Sequence, residues 1–256
     1  MEPTASAAPS TTLRVIDVLL AFTEGETWHR LTDLAAATQL TKPVVHRILQ
    51  TMMLRELVIA DEASHRYRLG PAAYRLGSAM ARQSELRTAA LPIMTRLAET
   101  TQETIMLSAR LGLRRVYVDQ VESTQSIRIT IQVGQQVPLS IGASGHSILA
   151  FLTAAEIDDV LAEPIPTLTP ATVTDPHAIR ARLAVVRDRG WSHSEAERVS
   201  GSSSVAAPIF DASGEVLGAI SVGALAARMD DARTVDLGRA VIAASADVTS
   251  RLNLRR

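Results

Sequence analysis

Cysteine is absent from this chain of 256 residues, and its absence excludes disulfides and thiolate metal sites. Aromatic residues make up only 3% of the chain, so aliphatic and alanine side chains must fill the interior. No apolar run of about 18 residues occurs, so we predict no membrane-spanning helix. The first ten residues, "MEPTASAAPS", lack the basic start and the apolar stretch of a signal peptide, and we expect a disordered tail on a cytosolic protein.

Lysine is nearly absent as well, because Lys42 is the only lysine among 26 basic residues. The formal net charge of −1 excludes a basic protein overall but permits a local basic patch. Since 46% of the residues are apolar, the chain can form one large domain or two smaller ones, each with its own core.

The stretch "LTDLAAATQLTKPVVHRILQTM" predicts two helices that are separated by only a few residues. In the second helix Val45, Ile48, Leu49 and Met52 repeat at i, i+3, i+4 and i+7, which places them on one inward face. An earlier helix, predicted within residues 11–24, completes a head of three helices.

Two short strands around a polar turn follow in "LVIADEASHRYRLG", which is a β-hairpin signal. Three helices and a hairpin predict a winged helix-turn-helix. A helix of this kind fits the major groove of DNA, and Arg66 and Arg68 point the same way along the hairpin because strand side chains alternate. The outward face of the predicted third helix carries Lys42, Pro43, His46, Arg47 and Gln50.

A protein-interaction module is the alternative for this head, since a charged helix face is usually only solvated. Residues 1–82 contain nine basic and eight acidic residues, so the net charge of the head does not favour DNA. The basic residues are concentrated between Lys42 and Arg68, however, and affinity for DNA would depend on that face.

The remainder of the chain combines helices with short strands rich in β-branched residues. The predicted strands are "TIMLSARLG", "RRVYVDQVES", "SIRITIQVG", "SSVAAPIFD" and "EVLGAISVGA". The predicted helices are residues 71–83, which link two domains, "LRTAALPIMTRLAETTQ", "GHSILAFLTAAEIDDVLA", residues 178–189 and a terminal helix near residues 231–254. Their order predicts an α/β domain on a mostly antiparallel sheet.

The spacing of the six histidines predicts no metal site, because none stands at i, i+4 from another ligand. The turn "GASGHS" opens a helix whose free N–H groups at Ala143, Ser144 and Gly145 can receive a carboxylate. An ordinary helix start that is satisfied by water explains the same pattern, so this alternative stays open.

Two further stretches carry polar side chains. Ser203 and Ser204 are adjacent in a strand, so one of them points inward and needs a partner for its hydroxyl. Glu195 and Glu197 lie in a predicted loop, where we expect solvated side chains rather than a pair of carboxylates for acid–base chemistry.

Taken in order, these stretches resemble the IclR family of bacterial transcriptional regulators over about residues 11–252. The resemblance implies an α+β protein with an N-terminal winged helix-turn-helix and a C-terminal GAF/PAS-like α/β effector-binding domain. It rests on the helix-turn-helix stretch and on "YRLGPAAYRLG", "VYVDQVES", "VGQQVPLSIGASGHSILAFL", "LTPATVTDP" and "RDRGWSHSEAERVSGSSSVAAPIFDASGEVLGAISV". The expected parts are a tail (1–10), a DNA-binding domain (11–70), a linker helix (71–85) and an effector-binding and oligomerisation domain (86–256).

The resemblance also implies functional residues, because the family binds operator DNA with its head and a small organic effector in a pocket of its second domain. The positions that match the DNA-reading surface are Thr41, Lys42, Val44, Val45, His46, Arg47, Arg66 and Arg68. The positions that match the effector pocket are Ile129, Val137, Ala143, Ser144, Ser194, Ser204 and Ser221.

Several positions depart from the family pattern. Serine or threonine is common where Val44 and Val45 stand, cysteine where Ser204 stands, and aspartate where Ser194 stands. We therefore expect a pocket rich in neutral hydroxyls and poor in charge. The expected effector is an uncharged or singly anionic small molecule, such as an aromatic or short-chain acid or its amide.

The leading hypothesis is a repressor that binds palindromic double-stranded operator DNA as a homodimer or dimer of dimers, without a cofactor or enzymatic activity. One alternative is a small-molecule sensor module without DNA readout. The other is a serine hydrolase that uses Ser144 or Ser204 with His146 or His193. No segment supplies a complete set of nucleophile, base and orienting acid for this hydrolase.

Overall fold

A computed structural model describes residues 10–254 of the chain. The chain divides into two compact units, of which the first ends at Gln83 and the second begins at Ser84. The tail predicted over residues 1–10 lies outside the described residues except for Ser10. The Ser10 Oγ accepts a hydrogen bond from the Leu13 N–H and caps the first helix.

The first unit has the helices and the hairpin that a winged helix-turn-helix requires. Its helices are α1 (Thr11–Leu20), α2 (Leu31–Thr38), α3 (Lys42–Met53) and α4 (Pro71–Gln83). Its strands β1 (His29–Arg30), β2 (Val58–Asp61) and β3 (Arg66–Leu69) form an antiparallel sheet in the order β1-β3-β2. The predicted fold class is confirmed for this part of the chain.

The turn between α2 and α3 is short because the backbone conformations of Gln39, Thr41 and Pro43 end one helix and begin the next within a few residues. Gln39 ends α2 in the left-handed conformation, with φ of 56°. Thr41 is extended and precedes the first turn of α3, and Pro43 lies in that turn, where no intrahelical N–H is needed. Apolar side chains then hold the helices together, among them Val18, Leu34, Val45, Ile48, Leu49, Met52 and Val58.

The second unit is built on a six-stranded antiparallel sheet in the order β6-β5-β4-β9-β8-β7. Its strands are β4 (Thr104–Leu111), β5 (Arg114–Val121), β6 (Gln136–Pro138), β7 (Ser192–Glu195), β8 (Ser202–Phe210) and β9 (Val216–Leu225). Its helices are α5 (Glu85–Thr101), α6 (Gly142–Leu149), α7 (Ala154–Ala162), α8 (Pro176–Arg189) and α9 (Asp231–Asn253).

Two apolar cores cover the two faces of this sheet. The long helices α5 and α9 pack against one face, which includes Leu107, Val205 and Ile220. The helices α6, α7 and α8 form the second core, which includes Ala219 of the sheet. Ala219 and Ile220 are neighbours on β9 and reach opposite cores because successive strand side chains point to opposite faces.

The stretch "SIRITIQVG", residues 126–134, does not form the predicted strand. The side-chain amide of Gln120 bonds to both backbone groups of Ile131: it accepts from the N–H at 3.0 Å and donates to the C=O at 3.1 Å. A side chain thus satisfies backbone groups that a neighbouring strand would satisfy in a ladder. The short strand β6 pairs with β5 instead, from Arg114 to Val116.

The single helix predicted in "GHSILAFLTAAEIDDVLA" is two helices. The first, α6, ends at Leu149, and Thr153 then caps α7. The Thr153 Oγ1 accepts from the Glu156 N–H, and the Glu156 carboxylate accepts from the Thr153 N–H at 3.0 Å. This reciprocal capping box fixes the start of a new helix and overrides the continuous apolar pattern.

All eight residues of α6 are buried, and they include His146. The His146 Nε2 lies 2.9 Å from the Ser140 carbonyl oxygen, to which it donates, and Nδ1 has no partner among the described residues. Burial lowers the pKa of His146, although the nearby Glu197 carboxylate opposes part of this effect. The imidazole is therefore neutral and serves as a core side chain.

A glycine contact fixes α9 against the end of α8. The indole of Trp191 lies against Gly238 of α9, so closely that a Cβ at Gly238 would stand 2.5 Å from two ring carbons. The guanidinium of Arg189 covers the same ring, with its Cζ 3.7 Å from the ring centroid. Only a residue without a side chain fits between this ring and the helix.

Replacing Gly238 with alanine should destabilise the second unit by about 1–2 kcal/mol, net of the helix propensity that alanine adds, because overpacking forces the ring or the helix to move. The chain has two tryptophans, of which Trp28 lies in the first unit. Urea unfolding of a Trp28→Phe background would therefore report on the second unit through Trp191 fluorescence.

The matched control is Gly77→Ala in α4, where a Cβ would meet no atom within 4 Å. This substitution should stabilise the first unit by about 0.5–1 kcal/mol through helix propensity alone, which Trp28 fluorescence in a Trp191→Phe background would report. If Gly238→Ala also raised the free energy of unfolding, the close packing of Trp191 on α9 would be disproved.

The second unit should lose stability as the pH falls below about 6.5, the ordinary pKa of histidine. Burial lowers the pKa of both His146 and His193. Above this pH both groups are neutral in the folded and the unfolded chain. Below it the unfolded chain binds protons that the folded chain does not, which favours unfolding. Unfolding free energies measured at a series of pH values test this.

His146→Gln should reduce this pH dependence, whereas His177→Gln, at an exposed position on α8, should leave it unchanged. Equal slopes for the wild-type chain and both variants would show that buried histidines are not its source.

Candidate functional site

The N-terminal half of α3 presents a polar, exposed face. Thr41, Lys42, His46 and Arg47 are exposed, and Val44 is half-buried at the edge of the core. Among the described residues no carboxylate pairs with the Lys42 ammonium or the Arg47 guanidinium. Both cations are therefore available to an external anion.

A side-chain contact organises the next turn of the same face. The His46 Nε2 lies 3.3 Å from the Gln50 Nε2, one helical turn further on. Residues at i and i+4 are neighbours on a helix surface, so this pair continues the face begun by Lys42. The exposed face thus extends over about two turns of α3.

Val45 does not belong to this face, and the prediction that it contacts DNA is wrong. Its side chain is 0% exposed and packs in the core of the first unit with Val18 and Leu49. The apolar repeat of α3 had placed Val45 inward, and burial agrees with that repeat rather than with the family resemblance.

The hairpin of β2 and β3 places basic side chains on one face. Arg66 forms an ion pair with Glu26 at 3.4 Å, and the guanidinium of Arg68 lies over the ring of Trp28, 4.7 Å from its centroid. Strand pairing sets the exposed Arg30 opposite Arg66. Trp28 and Arg30 were not predicted, because only the pairing of β1 with β3 brings them here.

A cavity of about 40 Å³ lies in the second unit, where the start of α6 meets the sheet. Its walls come from β4, β5, β7, β8, β9 and the segment before β6. Five of the seven residues predicted for an effector pocket line it, namely Ile129, Ala143, Ser144, Ser194 and Ser204.

Val137 and Ser221 do not line this cavity, so the structure removes both from the predicted wall. Val137 is buried behind the wall, in a cluster with Tyr117. Ser221 is fully buried, and its Oγ donates to the Met106 carbonyl oxygen at 3.4 Å. Gly223, two residues further along β9, reaches the wall instead.

The cavity contains charged groups that the sequence did not reveal, and the expectation of a pocket poor in charge is wrong. Arg115, Glu197 and Arg198 all line it. The Arg115 side chain is buried, donates to the Ser108 Oγ at 3.1 Å and stacks on Tyr117, with its Cζ 4.6 Å from the ring centroid. Burial also lowers the pKa of Arg115, since a charged group is penalised inside the protein.

Glu197 is not the solvated loop residue that we expected. It is 2% exposed, its Oε2 accepts from the Gly142 N–H at 3.1 Å, and its Oε1 pairs with Arg182. The neighbouring Glu195 is exposed and lies in β7, which the sequence pattern did not predict. No local pattern could distinguish these two glutamates.

The first turn of α6 retains two free donors. A helix leaves its first N–H groups without intrahelical acceptors, and Glu197 takes that of Gly142. The N–H groups of Ala143 and Ser144 remain, and both residues line the cavity. This turn can therefore bind an anion.

The serine–histidine pairs of the hydrolase hypothesis are not the ones that form. His193 lies 3.0 Å from the Oγ of Ser203, rather than Ser204, and His146 bonds to a backbone carbonyl rather than to Ser144. Among residues 10–254 no carboxylate bonds to the second nitrogen of His193, so the geometry supplies no complete catalytic set.

Neither a metal cluster nor a membrane span occurs in the part of the chain that the structure describes. No three histidine or acidic side chains there are grouped so that they could hold a metal ion. No helix in the same range combines the length and the apolar character that crossing a membrane requires.

Known proteins match this chain over almost all of its length. The family model of the bacterial transcriptional regulator IclR C-terminal domain matches residues 78–250, and that of the IclR helix-turn-helix domain matches residues 11–62. The HTH-type transcriptional regulator BhcR of Paracoccus denitrificans is 34% identical over 239 residues, which are 92% of this chain and 85% of that protein. The transcriptional repressor IclR of Escherichia coli is 29% identical, over 86% of this chain and 81% of that protein.

A solved structure supports the same assignment. The crystal structure of an IclR transcriptional regulator from Alicyclobacillus acidocaldarius has a TM-score of 0.86 and 26% identity to this chain. The match covers 96% of this chain and 100% of that one. The chain therefore belongs to the IclR family of bacterial transcriptional regulators.

Proposed function

We propose that the protein represses transcription by binding operator DNA through α3 and the β2–β3 hairpin, and that a small organic acid in the cavity of the second unit modulates this binding. The observation that carries the proposal is the division of α3 into a buried apolar face and an exposed face with two unpaired cations. A helix with such a face fits the major groove.

The exposed side chains of α3 provide three kinds of contact. Arg47 can bond in bidentate fashion to a guanine, and Thr41 and Lys42 stand at the helix start, within reach of phosphates and base edges. Val44 is half-buried and offers only methyl groups, which suit a thymine methyl. His46, held beside Gln50, adds a polar group to the same face.

The hairpin adds contacts to the DNA backbone. Stacking on Trp28 restrains the Arg68 side chain, so less conformational freedom is lost when it binds a phosphate. The ion pair of Arg66 with Glu26 is worth at most about 1 kcal/mol at this exposure, and a phosphate can displace the carboxylate. Arg30 extends the basic face.

A palindromic operator and a homodimer, or a dimer of dimers, complete the proposal. Two copies of α3 would read the two half-sites of double-stranded operator DNA in the cytosol. The effector would shift the equilibrium between arrangements of the heads, for which a coupling free energy of about 1–3 kcal/mol is sufficient.

The cavity favours a short-chain acid over an aromatic acid as effector. About 40 Å³ is room for roughly three water molecules, and an aromatic ring would require the walls to move apart. The free N–H groups of Ala143 and Ser144 suit a carboxylate.

Lys42→Ala should weaken binding to DNA from the protein's own promoter region and reduce the slope of log affinity against log salt by about one unit, if the ammonium neutralises one phosphate. Fluorescence anisotropy at several salt concentrations, with random DNA as competitor, measures both quantities.

The matched control is Arg55→Ala, which removes one exposed positive charge just beyond the other end of α3, roughly 20 Å away at 1.5 Å per residue. It should leave the salt slope unchanged. Equal slopes for the two variants would disprove the Lys42 contact. Wild-type binding no tighter than to random DNA would favour the sensor module without DNA readout.

A further inference from the structure

Arg115 is a buried cation without a counter-ion. Arg115 is only 2% exposed. Its Nη1 donates to the neutral Ser108 hydroxyl, and its buried Nε has no partner among the described residues. No carboxylate in residues 10–254 lies within ion-pair distance of its guanidinium. A buried charge is strongly unfavourable unless it is paired, so this guanidinium is a site for an anion from outside the chain.

The guanidinium stands beside the start of α6. A Cβ built on Gly142 would lie 3.9 Å from the Arg115 Nη2, so the guanidinium and the first turn of the helix border the same part of the cavity. The free N–H groups of Ala143 and Ser144 are in that turn. One carboxylate can therefore meet a full positive charge and two backbone donors at once.

A second cation lies near the same aromatic ring. The Cζ of Arg198 is 5.4 Å from the centroid of Tyr117, on which Arg115 also stacks, and Arg198 lines the cavity. Glu197 is the acidic residue on this wall, and its carboxylate is already engaged by Gly142 and Arg182. The described wall thus carries two cations without counter-ions.

We propose that the effector is a short dianion, a dicarboxylate of two to four carbons. One carboxylate lies between Arg115 and the start of α6, and the other lies at Arg198. The proposal rests on the proposed role of this cavity in effector binding and adds the charge of the ligand. A volume of about 40 Å³ is room for roughly three water molecules, which is the size of one carboxylate, so the second carboxylate lies outside it, at the half-buried Arg198.

Malonate, malonamate and malonamide test the charge, because they have nearly the same size and carry two, one and no negative charges. Calorimetric titration of the full chain should show that a dicarboxylate binds more tightly than malonamate or malonamide. Oxalate and succinate, which are one carbon shorter and longer than malonate, test the length of the ligand. Replacing one carboxylate by an amide should weaken binding by about 30-fold or more, as expected when a buried charge loses its partner.

Two variants assign the two ends of the ligand. Arg115→Gln should abolish detectable dicarboxylate binding and raise the unfolding temperature of the unliganded protein, because it removes an unpaired buried charge. Arg198→Gln should retain binding but lose the preference for malonate over malonamate. Arg114→Gln removes an exposed charge from the neighbouring position of β5 and should change neither quantity.

Three results would overturn the proposal: no binding of any dicarboxylate, malonamate binding as tightly as malonate, or unchanged malonate binding by Arg115→Gln. Anisotropy of the unliganded protein on promoter DNA keeps this test separate from the proposed function. If no dicarboxylate binds but operator binding is intact, only the proposed ligand is refuted. If malonate binds normally but the protein does not bind the operator, only the proposed function as a regulator is refuted.

Discussion

The buried carboxylate of Glu197 joins three segments of the second unit and so frames its cavity. The carboxylate accepts the first N–H of α6, at Gly142, and pairs with Arg182 of α8. The backbone carbonyl of the same glutamate accepts the Thr172 hydroxyl at 2.7 Å, which ties the loop before α8 to the turn after β7. Since a carboxylate at this depth must be fully paired, these segments share one arrangement, and the start of α6 faces the cavity as a consequence.

Three arginines of the second unit differ both in their counter-ions and in their burial. Arg228 makes two hydrogen bonds of 2.6 Å to the buried Glu103, and Arg182 pairs with Glu197. These pairs satisfy interior carboxylates and stabilise the fold. Arg115 is more deeply buried than either arginine and has no carboxylate partner within residues 10–254, so its charge is not used in a structural ion pair there.

In the first unit the helix α3 packs in the core with one face and presents polar side chains to the outside with the other. Ile48 and Leu49 of α3 pack inward, while Lys42 and Arg47 remain exposed. A period of 3.6 residues separates these faces within one short segment, so local pattern alone predicted the helix, its inward side chains and most of its outward ones. The resemblance to known regulators set aside this pattern at Val45, and the structure buries that side chain.

Local sequence signals were sufficient to predict the elements that depend on a few neighbouring residues, such as the apolar repeat of α3 and the polar turn of the hairpin. The chemistry of the cavity, in contrast, depends on contacts between distant segments of the folded chain. Glu197 reaches Gly142 across 55 positions of the chain, and Arg115 meets the same helix start from β5. Gln120 likewise replaces a predicted strand partner for Ile131. Such contacts depend on strand register and helix docking, which bring distant segments together and leave no trace in local periodicity.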